Sequence, residues 1–258
     1  MRFGVCTGIE NAALLKEIGY DYIELNLSKQ DEITEEQMRE QVSLLKELNL
    51  YSETFNCFYP AGKRIVGEDT TPEDELRDYT HRVLERAARL GGQIAVYGSS
   101  KARNIPEGFS RERAYEQFCH FARLSGEIAQ QYGIVVVLEP LNKLETNFFL
   151  TEEEALQIMH DVDRPNVCVL ADMYHICKEK EDFAHVIQAG SDLRHVHIAT
   201  PEVRTLPSFE DSFDYSTFAA ALQQAGYHAR MSLEGHLKGE DMRAEWTEAL
   251  AVLKKNFN

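Results

Sequence analysis

No long hydrophobic run occurs in this sequence. No segment approaches the roughly 18 to 20 consecutive apolar residues needed to cross a bilayer. The N-terminus, MRFGVCTGIENAA, also lacks the extended apolar region of a signal peptide. We therefore expect a cytoplasmic protein with no membrane partner.

Cysteine is scarce and shows no pattern. The five cysteines of the 258-residue chain are widely scattered, and no CxxC motif occurs. A disulfide framework or a structural zinc site is therefore not expected. Cys6, Cys57 and Cys168 lie in segments with strand character, where a small buried apolar side chain is the expected role.

Basic residues are outnumbered by acidic ones. The chain has 27 Lys and Arg residues against 43 Asp and Glu, which gives a net charge of −16. This excess repels the phosphate backbone that nucleic-acid-binding proteins must neutralise, so no nucleic-acid partner is expected. The sequence also lacks GxGxxG and GxxxxGK[ST], the fingerprints of dinucleotide and nucleoside triphosphate binding.

Alternating strand and helix segments fill the chain. Eight short segments rich in β-branched, aromatic or aliphatic residues are predicted strands, at 2–6, 20–25, 51–57, 93–98, 134–138, 167–171, 194–198 and 229–233. Amphipathic helical patterns follow them, at 11–18, 34–48, 71–91, 110–132, 152–162, 181–189, 215–225 and 238–256. Such alternation favours parallel strands covered by helices. We predict a single α/β domain at 1–258, a closed (β/α)8 TIM barrel, with a doubly wound open sheet as the alternative.

Four late strands end on residues that could bind a metal ion. Glu139, Asp172 and Glu234 directly follow predicted strands, and His197 lies near the end of another. The C-terminal ends of barrel strands meet at one face, where active sites lie. Residues two apart on a strand share a face, so Glu139 is expected to point inward with Val137.

Buried carboxylates this close together would repel one another unless a positive group compensates. A divalent cation bound by three carboxylates and one imidazole provides that compensation. Donors of this kind suit Mn²⁺, which we expect here, as well as Mg²⁺ and Co²⁺, and Zn²⁺ also fits. Each residue alone has an ordinary explanation, a helix cap for an acid or a core hydrogen bond for a histidine. The metal site is predicted by the four together.

Several segments resemble the motifs of one enzyme superfamily. LEPLNKLETNFF, LADMYHI, HVHIATPEVRTLP and SLEG are similar to those of the xylose isomerase-like sugar isomerase/epimerase superfamily, closest to ketose 3-epimerases of the D-tagatose and D-psicose type. FNCFYPAG and VYGSSKARNIPEGF also resemble this family's strand 3 and strand 4 ends. The resemblance implies that Glu139 and Glu234 are both metal ligands and the catalytic acid/base pair. Asp172 and His197 would complete the metal shell.

The resemblance also implies three substrate-binding residues, Glu145, His175 and Arg204. Each has an alternative role: Glu145 could cap the next helix, His175 could cap the turn after strand 6, and Arg204 could pair with Glu202. The loop at 200–215 departs from the family pattern, because its arginine follows the ligand histidine by seven residues instead of the six of the 3-epimerases.

Two further polar residues have open roles. His195 precedes His197 by two positions, so we expect it one layer deeper, where it would support a ligand or pack in the core. Glu24, near the end of strand 2, could face the barrel mouth or point outward as a cap. Neither is predicted to bind the metal ion.

The expected function is metal-dependent isomerisation or epimerisation of a ketose or related sugar. Two glutamates would transfer the proton through an enediolate, because inversion requires access to both faces of one carbon. A keto-polyol dehydratase of the inosose type on the same metal site is one alternative, and a sugar-binding barrel without turnover is another. The expected partner is a small-molecule sugar, and a homo-oligomer, either dimer or tetramer, is compatible with the sequence.

Overall fold

Eight parallel strands form a closed barrel in the computed structural model, which describes all 258 residues. They pair in chain order, and the last strand closes the barrel against the first. The strands are β1 (Arg2–Cys6), β2 (Tyr22–Asn26), β3 (Thr54–Asn56), β4 (Ile94–Tyr97), β5 (Val135–Leu138), β6 (Val167–Asp172), β7 (Leu193–Ile198) and β8 (Arg230–Leu233). The predicted (β/α)8 barrel is confirmed, and the open-sheet alternative is wrong.

Ten α-helices connect and follow the strands. They are α1 (Ala12–Ile18), α2 (Glu35–Leu48), α3 (Glu73–Arg89), α4 (Ser100–Arg103), α5 (Arg111–Gln131), α6 (Glu152–Val162), α7 (Met173–Glu179), α8 (Ala184–Ala189), α9 (Ser216–Gln224) and α10 (Met242–Phe257). Helices α4 and α7 were not predicted, because one or two turns carry too little amphipathic periodicity to recognise. None of the helices is both long enough and apolar enough to cross a membrane.

Local sequence signals predict the start of one helix correctly and that of another incorrectly. The Thr34 hydroxyl accepts a hydrogen bond from the backbone N–H of Gln37, whose side chain accepts one from the backbone N–H of Thr34 in return. This reciprocal pair is the capping box that starts α2. Helix α3 begins at Glu73 after Pro72, later than the predicted start at 71, and no side chain caps it.

Apolar side chains fill the barrel interior as well as the layer beneath the helices. Ile94, Val96, Val137, Cys168 and Leu170 form a small separate cluster from β4, β5 and β6. A larger cluster of 65 buried residues joins the strands to the surrounding helices. Fully burying one such side chain contributes about 1.5 to 3 kcal/mol. The barrel is therefore a packed scaffold that can hold polar groups rigidly at its end.

Strand register places the candidate residues in the same region. Val137 lies in the interior cluster, so Glu139, two residues later, also points inward. Asp172 pairs with His197 between β6 and β7, and His197 pairs with Ser232 between β7 and β8. The predicted inward faces of these strands are confirmed.

One expectation for the cysteines is wrong. All five are free: Cys119 and Cys168 are buried and Cys6 is half-buried, but Cys57 is exposed. Strand β3 ends at Asn56, and Cys57 has a φ of 55°, a left-handed conformation that turns the chain out of the strand. Its side chain therefore lines a surface cavity and does not pack in the core.

Candidate active site

Glu139, Asp172, His197 and Glu234 converge at the C-terminal end of the barrel. One potential ligand atom from each lies within 4.8 Å of the others. Three of the residues are almost completely buried, whereas the side chain of Glu234 remains 19% exposed. The structure thus brings together the four side chains that the strand ends indicated.

His197 joins this cluster to a deeper carboxylate. Its Nδ1 atom lies 3.1 Å from Glu139 Oε1 and 3.4 Å from Glu234 Oε2. Its Nε2 atom lies 2.9 Å from Oε1 of Glu24. Because a carboxylate accepts hydrogen bonds, the Nε2–H group donates to Glu24 and Nδ1 faces the cluster. Histidine ligands of metal ions commonly hold their second nitrogen in this way.

Glu24 is completely buried and fully hydrogen-bonded. Its Oε2 atom accepts from His195 Nε2 at 2.8 Å, and from the hydroxyls of Thr54 and Ser232 at 2.6 Å each. With His197 on Oε1, both carboxylate oxygens are occupied. Of the two roles open for Glu24, the structure selects the inward one. His195 lies one layer below the cluster and contacts Glu24.

Asp172 uses its two oxygens differently. Oδ1 accepts a hydrogen bond from the backbone N–H of Tyr174 at 2.8 Å and so caps helix α7. Oδ2 has no hydrogen-bond partner, although the residue is 1% exposed. A buried carboxylate oxygen without a partner is costly. This atom is therefore free to bind a ligand at the centre of the cluster.

Burial and neighbouring charges raise the pKa of some residues of the cluster and lower the pKa of another. Burial raises the pKa of Glu139, with the Glu234 carboxylate adding to the effect, and burial raises the pKa of Asp172 to about 6. Burial also opposes the ionised form of Glu234, but the nearby His197 holds the pKa of that carboxyl well below its usual range. The pKa of His197 lies well above its usual range because Glu24 and Glu234 outweigh burial. Neighbouring groups with opposed shifts are typical of acid/base sites.

The donor set fits a divalent cation. Three carboxylates and one imidazole nitrogen are ligands that Mn²⁺, Mg²⁺, Co²⁺ and Zn²⁺ accept. The Oδ2 atom of Asp172, which has no hydrogen-bond partner, and the Nδ1 atom of His197, which faces the carboxylates of Glu139 and Glu234, are ligand atoms of this set. Four protein ligands would leave coordination positions open for water or substrate.

Arg204 extends the cluster and does not pair with Glu202. Its two terminal nitrogens lie 2.9 Å from Glu145 Oε1 and 2.8 Å from Glu234 Oε2, and its guanidinium packs over the ring of Tyr174. Although burial opposes its charge, Glu234 and the other carboxylates raise the pKa of Arg204. The longer 200–215 loop therefore still delivers its arginine to the site. Glu145, in the segment between β5 and α6, lies in the site as a partner of Arg204.

His175 lies in helix α7 and is 1% exposed. It does not cap the turn after β6, because Asp172 performs that role. Its Nε2 atom is 3.4 Å from Asp172 Oδ2, and its Nδ1 atom contacts Asn142. Burial lowers the pKa of His175, which favours the neutral ring.

A cavity of about 360 Å³ opens over the cluster. Glu139, Glu145, Arg204 and Glu234 line one part of it, and Cys57 contributes to another. A larger cavity of about 580 Å³ lies among the N-terminal ends of β4, β5, β7 and β8 and contains none of these residues. Because barrel active sites lie at the C-terminal face, the smaller cavity with the titratable cluster is the candidate site.

Gly98, just after β4, makes room for Glu139. A Cβ atom at this position would lie 2.0 Å from Oε2 of Glu139. A residue with a side chain would therefore collide with the carboxylate. The glycine allows Glu139 to occupy its place at the edge of the cavity.

Sequence reasoning missed three residues at or near the site: Gly98, Asn142 and Arg103. All three lie inside segments that resemble the family, so their positions offered a signal. Nothing in the sequence indicated that Arg103 is buried, since an arginine is normally exposed. It is completely buried without a hydrogen-bond partner, packs over Phe149, and burial lowers its pKa to about 9.

The fold and the cluster define a class: a closed barrel that gathers carboxylates and a histidine at the C-terminal ends of its strands. The chain matches the family described as "Xylose isomerase-like TIM barrel" over residues 12–256, and it belongs to that family. It is 28% identical over 218 residues to the L-ribulose 3-epimerase of Methylomonas sp. (strain DH-1), which covers 84% of this chain and 74% of the relative. It is 27% identical over 182 residues to the 3-dehydro-D-guloside 4-epimerase of Escherichia coli (strain K12), covering 67% of this chain and 68% of the relative.

A solved structure shows the same fold at greater sequence distance. The D-psicose 3-epimerase from Clostridium cellulolyticum H10, solved with D-tagatose, superposes with a TM-score of 0.87 at 17% identity and covers 100% of both chains. The relatives named here are all sugar epimerases, which supports the expectation that this chain is an enzyme.

Proposed function

We propose that this protein is a metal-dependent ketose epimerase of the 3-epimerase type. The observation that carries the proposal is the convergence of Glu139 from β5 and Glu234 from β8 on one cluster with Asp172 and His197, with ligand atoms within 4.8 Å of one another. The similarity to epimerases of L-ribulose and of a 3-dehydro-guloside supports the sugar substrate.

The two glutamates approach the cavity from different positions around the barrel wall. Glu139 follows β5, and Glu234 follows β8, with β6 and β7 between them. A carbon held between them would expose one face to each carboxylate. One carboxylate removes the proton next to the ketose carbonyl, and the other returns a proton to the opposite face, which inverts the carbon.

The other residues of the site bind and orient the sugar. A divalent cation held by the four clustered residues would polarise the carbonyl and so acidify the neighbouring C–H group. Arg204 and His175 are placed to donate hydrogen bonds to sugar oxygens, and Glu145 is placed to accept one from a hydroxyl. Because binding and chemistry use the same cavity, a sugar bound there lies next to both glutamates.

The test is proton exchange in D₂O. The protein is incubated with Mg²⁺ and a panel of ketopentoses and ketohexoses, and NMR follows deuterium incorporation together with the product's configuration. We expect deuterium at one carbon next to the carbonyl, with inversion there. Exchange accompanied by conversion to an aldose would indicate an isomerase instead. A protein that binds Mg²⁺ but exchanges no C–H proton on any sugar of the panel would contradict the proposal.

A further inference from the structure

Asn142 contacts two of the residues proposed to bind substrate. It lies in the loop after β5, is 1% exposed, and places its Nδ2 atom 2.8 Å from His175 Nδ1 and 3.0 Å from Glu145 Oε1. Its backbone N–H donates to the same His175 nitrogen at 3.1 Å. Asn142 therefore hydrogen-bonds to both of these side chains.

The orientation of the Asn142 amide follows from its partners. Its Oδ1 atom accepts from the backbone N–H of Leu144 at 3.0 Å, and a backbone N–H can only donate. The Nδ2 atom of the amide lies against the carboxylate of Glu145, which can only accept hydrogen bonds when it is ionised. The NH₂ group therefore points toward Glu145 and His175, and the amide cannot be reversed without losing these contacts.

Two N–H donors at one ring nitrogen determine the tautomer of His175. An imidazolium carries a proton on both nitrogens, and that proton on Nδ1 would meet the backbone N–H of Asn142 head-on. Nδ1 must therefore carry a lone pair, which leaves the single proton of a neutral ring on Nε2.

The proton on Nε2 points into the candidate active site. Nε2 has no hydrogen-bond partner, is almost completely buried, and lies 3.4 Å from Asp172 Oδ2. A nitrogen in this state can donate a hydrogen bond to a substrate oxygen but cannot remove a proton. The same amide and Arg204 both contact Glu145 Oε1, so that carboxylate is oriented from two sides.

We infer that Asn142 is a positioning residue, which holds His175 as an Nε2–H donor and Glu145 as an acceptor for substrate oxygens. The inference rests on the proposed sugar chemistry for its purpose, but the tautomer can be measured without any substrate. The site would then select sugars that present an acceptor oxygen to His175 and a hydroxyl group to Glu145.

The tautomer is tested by ¹⁵N NMR of protein labelled in histidine, with the His175 signals assigned from a His175→Gln variant. We expect an unprotonated Nδ1 and a protonated Nε2 in the wild-type protein at neutral pH. A protonated Nδ1 in the wild-type protein would overturn the inference, whether or not any sugar turns over.

Asn142→Asp provides the second test, because it replaces the NH₂ donor with an acceptor of the same shape. The new carboxylate faces the lone pair of His175 Nδ1 and the carboxylate of Glu145, which it repels, so the His175 ¹⁵N signals should shift and kcat/KM should fall about ten- to hundredfold, the range for hydrogen bonds that involve charged groups. Asn147→Asp is the matched control, since Asn147 lies exposed in the same loop and bonds only with backbone and side-chain groups outside the cluster. Unchanged NMR signals and kinetics in Asn142→Asp would overturn the inference.

If Asn142→Asp fails to fold, Asn142→Ala takes its place. This variant removes both side-chain contacts and adds no charge. We expect a loss of at least tenfold in kcat/KM, while the Kd for Mn²⁺ stays within twofold of wild type, because Asn142 contacts none of the four clustered residues. Wild-type kcat/KM in Asn142→Ala would overturn the inference.

Discussion

Glu24 Oε1 lies 2.9 Å from His197 Nε2, on the side of the imidazole away from the carboxylate cluster. This contact directs the other ring nitrogen toward Glu139 and Glu234. It also joins residues 173 positions apart in the chain. The orientation of the histidine thus depends on a carboxylate that is not itself in the four-residue cluster.

Glu24→Gln should weaken metal binding while the barrel remains folded. The amide offers one acceptor in place of two, so it cannot satisfy His195 and His197 together. Loss of such a supporting carboxylate typically costs about 10- to 100-fold in metal affinity. Calorimetric titration with Mn²⁺ measures the Kd. Glu53→Gln, another buried carboxylate that pairs with Arg2 and Arg230 far from the site, should leave the Kd unchanged.

Glu139→Gln and Glu234→Gln should each reduce kcat by about 10² to 10⁴, the usual contribution of a positioned acid or base. Each variant keeps one carboxylate, so C–H exchange on one face could survive while inversion is lost. Turnover assays together with NMR in D₂O separate these two outcomes. Inversion at near-wild-type rates in either variant would be incompatible with a two-carboxylate mechanism.

Gly98→Ala should displace Glu139 without disturbing the barrel. The added Cβ would lie 2.0 Å from Glu139 Oε2, so the carboxylate must move. Misplacement of a reacting group by about 1 Å can cost about 10²-fold in rate, and we expect a loss of that size in kcat/KM. Gly62→Ala is the control, because a Cβ at position 62 meets no atom within 4 Å. Equal activity in the two variants would show that Glu139 tolerates the shift.

A divalent cation should stabilise the folded protein, and EDTA should reverse the effect. At a free cation concentration 100 times its Kd, the gain is about 2.7 kcal/mol, or roughly 5 to 10 °C in Tm for a chain of this size. Asp172→Asn should abolish the shift, because the amide can still accept the helix-capping hydrogen bond of Oδ1 but removes the ligand atom at Oδ2. Thermal scans of both proteins with Mn²⁺ and with EDTA make the comparison. An increase in Tm as large as that of wild type in Asp172→Asn would show that the cation binds elsewhere.

Glu152→Gln should stabilise the protein more as the pH rises. Neither carboxylate oxygen of Glu152 has a hydrogen-bond partner, and burial, with the nearby Glu181 carboxylate, raises the pKa of Glu152 well above its usual range. The folded chain therefore keeps a proton that the unfolded chain releases. As the pH rises from the pKa of Glu152 in the unfolded chain to its higher pKa in the folded chain, the free energy of unfolding falls by about 1.4 kcal/mol per pH unit.

Urea denaturation of wild type and Glu152→Gln at pH 5, 6.5 and 8 measures this effect. The advantage of the variant should be smallest at pH 5 and largest at pH 8. Glu153→Gln, at the exposed neighbouring position, should follow wild type at every pH. A pH-independent difference would mean that Glu152 ionises normally in the folded chain.

The predictions from sequence succeeded where a short-range rule decides the outcome. Glu139 points inward because it lies two residues beyond Val137 on the same strand face. Asp172 does so for the same reason, two residues beyond Leu170. Cys57 shows the limit of the rule, because a single left-handed residue ended the strand early and exposed a side chain expected in the core.

Roles that depend on distant contacts could not be predicted in the same way. Glu24 had two equally reasonable orientations, and only the barrel's closure, which brings β2, β3, β7 and β8 together around one interior, selects the inward one. The partners of Arg204 could not be derived from spacing either. Its loop has one more residue than the family pattern, yet the guanidinium still meets Glu145 and Glu234.

By itself, the sequence determined the order of strands and helices, the closed barrel, and the four residues at the strand ends, because these follow from local periodicity and from how parallel strands align. Only the tertiary structure decided which atoms of those residues face one another, which carboxylate holds His197, and which amide holds His175. Hydrogen bonds between residues far apart in the chain fix those details, and their geometry exists only once the barrel has closed.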